Sequence, residues 1–175
     1  MHRIKLLLGM ALSILAIAAC ASTIDSNDTF KSITIGYSTP SGNEIWVKAV
    51  EFDSSWGVPG GGLACCWENP GKMAIVFNRA MPKVLRIAWL EESTQNHYDA
   101  TISLSEDTAS KARRLPNLTY IPIKRKKPPI VMLIIGMAPG GDVTVWLSNS
   151  SSGKHRKGRV LDVVGMAKAT ITSNP

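Results

Sequence analysis

The sequence is short of the side chains that carry catalysis, with three histidines and three cysteines among 175 residues. His97 and His155 lie far apart, and His155 sits in a run dense with Lys and Arg. No G-x-S-x-G elbow occurs, so a serine nucleophile of the α/β-hydrolase kind has no support. Cys65, Cys66 and two distant histidines lack the spacing of a zinc site. Glu91 and Glu92 are adjacent, and neighbours on a strand point to opposite faces, unlike a facing acid–base pair. Gly60-Gly61-Gly62 has no Lys-Ser/Thr pair after it and no helix pattern starting there, as a phosphate-cradling loop requires. These absences argue for a protein that works without catalysis, cofactor or metal. Acidic residues are also few, 13 against 20 Lys and Arg, and no low-complexity tract or long block of one charge occurs.

What is present begins at the N-terminus. Arg3 and Lys5 form a positive segment, and Leu6 to Ala19 is apolar and uncharged. That run is shorter than the roughly 20 residues a membrane-spanning helix needs, so it reads as a processed secretory signal. Ile17-Ala18-Ala19-Cys20 resembles the bacterial lipobox. The resemblance implies thioether lipidation of Cys20, cleavage before it and acylation of the new amine. Several acyl chains on one residue anchor a protein stably, where one chain binds only marginally. The expected organisation is a lipoprotein signal over residues 1–19, a lipidated tether over 20–30 and a single β-rich domain over 31–175. Ala21 stands where inner-membrane retention signals usually place Asp. In a Gram-negative host that favours the outer membrane, on its periplasmic face.

The remaining chain is read as strands. Ile33, Ile35 and Tyr37 alternate, as do Tyr98, Ala100, Ile102 and Leu104, and again Val143, Val145 and Leu147. Ile45–Phe52, Met73–Phe77 and Lys83–Leu90 are β-rich, and Ile130–Met137 is a continuous apolar run suited to a central strand. Trp56 to Trp67 (WGVPGGGLACCW) reads as a turn through the glycines, entering a strand at Leu63–Trp67. Val160–Thr172 closes the chain. Ser105 is the expected cap of one short helix, with Glu106 and Asp107 in its first turn, Lys111, Arg113 and Arg114 in its last, and Pro116 as the stop. The fold expected is mainly β: an antiparallel sandwich or curled sheet of about eight strands with one short helix.

Two features stand out for binding. Lys124, Arg125, Lys126 and Lys127 form one basic loop, and Lys154, Arg156, Lys157 and Arg159 mark a second, expected to be polar and mobile. Without nearby stacking aromatics, and in a periplasmic protein, they do not suggest nucleic acid. They read as solvated loops from which an acidic partner or lipid headgroups could be met. The adjacent Cys65 and Cys66 leave two states open. A vicinal disulfide would lock the turn, although disulfides ordinarily need Cα atoms about 4.4–6.8 Å apart. Otherwise two thiols lie buried on alternate faces of a strand in an oxidising compartment.

The order WGxPGG-x-L-x-C-C-W, then P-x-x-L-x-I-x-W at Pro82–Trp89, Y-x-A-T-I-x-L at Tyr98–Leu104 and IIGMAPGGDVTVWLS at Ile134–Ser148 carries a resemblance. It resembles the uncharacterised lipoproteins grouped as domain of unknown function 2931. Such lipoproteins are often found beside genes for type VI secretion lipase effectors, which implies an immunity role. No catalytic residues come with the resemblance. Two functions are therefore expected: an outer-membrane-anchored immunity protein that occludes a secreted lipase, or an envelope lipoprotein without a toxin target. A small-molecule or lipid-binding sandwich is a remote third.

Overall fold

The computed structural model describes residues 29–172. The signal segment, Cys20 and most of the tether lie outside the described residues. In chain order the strands are β1 (Thr29–Ser38), β2 (Ile45–Phe52), β3 (Trp56–Leu63), β4 (Lys72–Ala80), β5 (Val84–Glu91), β6 (Asn96–Ser103), β7 (Leu118–Tyr120), β8 (Arg125–Lys127), β9 (Met132–Met137), β10 (Asp142–Ser148), β11 (Arg156–Lys157), β12 (Leu161–Lys168) and β13 (Thr170–Thr172). One helix, α1 (Thr108–Arg113), follows β6. Two five-stranded sheets, in the orders β12-β10-β9-β1-β4 and β13-β6-β5-β2-β3, pack face to face, and β11-β7-β8 form a third, small sheet. Every pairing is antiparallel except β1 with β9.

Alternation explains the core, interrupted in β2 by a bulge after Val47 that brings Val50 and Phe52 onto the same face as Ile45 and Val47. Ile33, Ile35, Leu133, Ile135, Val143 and Val145 from the first sheet meet Val47, Phe52, Leu85, Ile87 and Ile102 from the second. Trp89 stacks on Tyr98 within it, at 5.0 Å between ring centroids. Fully burying such side chains stabilises by about 1.5–3 kcal/mol each. The apolar run at β9 is buried throughout because its two sides enter different cores. Met132 and Ile134 join Trp146 in a second cluster on the outer face of the first sheet, with Trp67 and Leu161 packed against them.

Three expectations are corrected. The glycine run is a strand, not a turn. β3 is an edge strand, where Pro59 is tolerated, and a Cβ on Gly60 would lie 2.0 Å from the Val47 carbonyl oxygen. Glycine is needed there so the two backbones can approach. Leu63–Trp67, expected as a strand, instead leaves the sheet after Leu63 and crosses the outer face. The helix also begins later than Ser105. Asp107 is its cap residue and makes no side-chain capping bond, its carboxylate pairing with Lys111 at 3.1 Å; the first turn holds no acid, and Ser105 Oγ donates instead to the Val164 carbonyl at 3.0 Å. The expected mainly β sandwich with one short helix is what the chain forms, and four of its thirteen strands among the described residues, β7, β8, β11 and β13, are only two or three residues long.

Candidate functional site

The small sheet is built from the two basic segments. Ile121–Ile123 forms a tight 3-10 turn, and Lys124 at φ 48° reverses the chain so that Arg125 pairs with Tyr120. On the other side of β7, Arg156 pairs with Tyr120 and Lys157 with Thr119. The Ile121 N–H donates to the His155 carbonyl at 2.9 Å, closing the second junction. Segments some 30 residues apart in the chain thus become neighbouring strands across β7. Residues directly opposite share a face. One face therefore carries Arg125, Lys127 and Arg156 beside Tyr120 and Leu118, and the other carries Lys126 and Lys157 beside Thr119.

The first of these faces borders a pocket of about 230 Å³, lined by Leu118, Tyr120, Lys127, Pro128, Ile130, Asn149, Ser150, Ser151 and Arg156. Lys127 Nζ lies 5.6 Å from the Tyr120 ring centroid. The Arg156 guanidinium donates to Ser150 Oγ, which fixes it at the pocket wall. Planar guanidinium and ammonium groups beside an apolar and aromatic floor suit a carboxylate carried on an apolar body. Chemically the site can hold an acidic side chain. It carries no nucleophile–base pair.

The expected loop at Ser148–Arg159 is pinned rather than free. Ser148, Asn149 and Ser150 are fully buried. Asn149 Nδ2 donates to the Pro116 and Gly158 carbonyls at 3.0 and 2.9 Å, and its Oδ1 accepts the Val160 N–H at 2.8 Å. Sequence reasoning missed these residues because a run of Ser and Asn reads as solvated. Lys154 sits exposed in the turn before β11. Arg159 stands apart: it is half-buried, and its guanidinium donates to the Glu68 carbonyl. Burial lowers its pKa, Glu68 opposes that shift and Arg156 adds to it. Six of the eight basic residues singled out from sequence are joined on or beside one sheet, and Arg159 instead ties that region to the cysteine turn.

In that turn Cys65 and Cys66 form a disulfide, their Cα atoms 3.6 Å apart. Cys66 adopts φ 91° and Glu68 φ 63°, left-handed conformations that turn the chain sharply. The Thr39 N–H donates to the Cys65 carbonyl at 3.3 Å and the Gly71 N–H to the Tyr37 carbonyl at 2.9 Å, so residues 65–71 lie as a strap on the outer face. Trp67 on this strap meets Trp146 edge to face at 5.0 Å. A Cβ on Gly136 would fall 2.4 Å from Trp146 and 2.9 Å from Trp67, so only glycine leaves room for both rings. The disulfide closes the turn that carries Trp67 onto Trp146. The oxidised protein is expected to show no alkylatable thiol at Cys65 or Cys66 before reduction and two after it, by peptide mass spectrometry.

The other residues weighed from sequence are scattered. Glu91 is buried, with Thr94 Oγ1 donating to its Oε2 at 2.7 Å, while the backbone of Glu92 bonds to Glu44. His97 Nδ1 accepts from Lys48 Nζ at 2.6 Å on an exposed surface. Trp56 stacks on Phe52 at 4.2 Å, whereas Trp46 is 53% exposed. No group of three or more His, Cys, Asp or Glu suited to a metal ion occurs among the described residues. Cys20 lies outside them.

No curated protein and no solved structure matches the chain. The sequence profile of one family does, over residues 22–172, and that range contains every element described above. The chain belongs to the family described as Protein of unknown function (DUF2931).

Proposed function

We propose that this protein is a lipid-anchored periplasmic binding protein, an immunity protein that occludes a secreted lipase effector at the outer membrane. The observation that carries the reading is the union of the two basic segments across β7, with a pocket that presents Lys127 and Arg156 beside Tyr120. A concentrated positive surface steers an acidic partner, and a pocket beside it can seat one of that partner's side chains. The lipobox at Cys20 supports holding this surface at the bilayer, where a lipase attacks.

The test is co-expression with the lipase-like product of the adjacent gene, exported to the periplasm. Rescue of growth together with a co-purifying complex supports occlusion. A neighbour that kills equally with and without this protein ends the reading. Steering makes a sharper demand on the surface residues. Arg125→Glu with Lys127→Glu is expected to slow association about tenfold or more at low salt, and the gap should narrow as salt rises. Stopped-flow association rates at two ionic strengths measure it.

A further inference from the structure

The two outer faces of the sandwich differ in chemistry. Over the second sheet Arg86 makes a two-pronged ion pair with Asp99, at 3.1 and 2.8 Å. Lys48 and His97 lie on the same face, where Trp46 is a lone large exposed ring among charged and polar neighbours. The first sheet ends at β4 in Met73, Ile75 and Phe77, successive residues on one side that are 55%, 58% and 64% exposed. Ala74 and Val76 between them pack on the core, so the stripe points away from it. β1 and β4 carry no acidic residue, and of their cations Lys72 and Arg79 pair with the core residues Tyr37 and Phe30, the Arg79 guanidinium lying 5.8 Å over the Trp56 ring, so both turn toward the second sheet and leave the stripe uncharged.

We infer that this stripe is where the domain rests on a lipid bilayer, its apolar side chains entering the headgroup boundary. The inference rests on the lipid-anchor reading of Cys20. Thr29, where β1 starts, pairs with Ala80, so the chain enters the fold at one end of β4. Ser32 pairs with Phe77, Thr34 with Ile75 and Gly36 with Met73. At about 3.3 Å per residue the stripe spans roughly 10–23 Å from Ala80. Eight residues lie between Cys20 and Thr29, nine Cα steps with a reach of at most about 32 Å when fully extended. An acyl anchor at Cys20 therefore keeps the whole stripe within reach of the bilayer. Buried apolar area is what interfacial binding uses, and one tether plus one resting face fixes the domain's orientation.

Pairing of β4 with a second copy is disfavoured by the same strand. Asn78 at φ 53° breaks the extended edge, and Lys72 and Arg79 near its ends repel their own kind.

The test uses the full-length chain in its own membrane, with the photoreactive p-benzoylphenylalanine replacing Ile75 or Phe77, and Arg86 on the opposite face as control. Phospholipid adducts at positions 75 and 77 are expected to exceed those at 86 several-fold. A crosslinked dimer, a crosslinked protein partner, or equal lipid adducts at all three positions overturns the inference. If either replacement prevents accumulation, Met73 carries the same probe. The mass of the N-terminal peptide from the same sample separates the two readings. An unacylated Cys20 removes the anchor and this face together, and an acylated Cys20 without lipid adducts removes only this face.

Discussion

Trp146→Ala is expected to lower the unfolding free energy by about 3–5 kcal/mol, the range for truncating a buried aromatic side chain. Trp146 is the keystone of the outer cluster, lying on Met132 and Ile134 and holding the edge of Trp67 at 5.0 Å. Its removal opens a cavity under the strap and leaves Trp67 without the ring it packs against. Gly136 cannot close the gap, since it has no side chain to move. Trp46→Ala provides the contrast. That ring is 53% exposed and lies over Gly62 on the other sheet, so its loss is expected to cost under about 1 kcal/mol. Urea unfolding followed by far-ultraviolet circular dichroism compares the two. Equal losses would mean that the strap and its cluster do not form a packed second layer.

The sequence made the inner core legible and the strap illegible, for one physical reason. Ile33, Ile35 and Tyr37, or Val143, Val145 and Leu147, repeat with period two, and that period survives any tertiary arrangement. The strap follows no period. Its course is fixed by glycines that permit contact, by two left-handed residues and by a ring pair that meets only after folding. The same holds for Pro59 to Gly62, whose turn chemistry is genuine, but whose small residues serve close pairing with β2. Met73, Ile75 and Phe77 expose a different limit. With Ala74 and Val76 both sides of β4 are apolar, so pattern alone cannot say which side is covered. The candidate site depended on pairing across a long stretch of chain. Strands of two or three residues have no periodicity to read, so the basic segments were visible one by one while their union was not.

Asn149→Ala is expected to cost about 2–4 kcal/mol and to loosen the basic sheet without altering a single charge. The side chain is fully buried and makes three bonds, to the carbonyls of Pro116 and Gly158 and from the N–H of Val160. A net hydrogen bond is worth about 0.5–1.5 kcal/mol, and each buried partner left unmet adds a desolvation penalty of its own. The three partners sit just before β7, just after β11 and just before β12, so one amide holds both inner ends of the small sheet. Asn149→Asp keeps the acceptor for Val160 but sets a carboxylate against two carbonyls, and is expected to cost at least as much. Chemical denaturation gives the stability, and amide exchange over residues 118–127 and 156–157 reports the sheet. Faster exchange there, with the core strands β5 and β6 unchanged, is the expected pattern. Arg125→Glu with Lys127→Glu should do the reverse, slowing association while stability and exchange stay near the parent values. If Asn149→Ala left exchange in the small sheet untouched, the basic strands would be held by their own pairing alone, and the amide would have no part in presenting them.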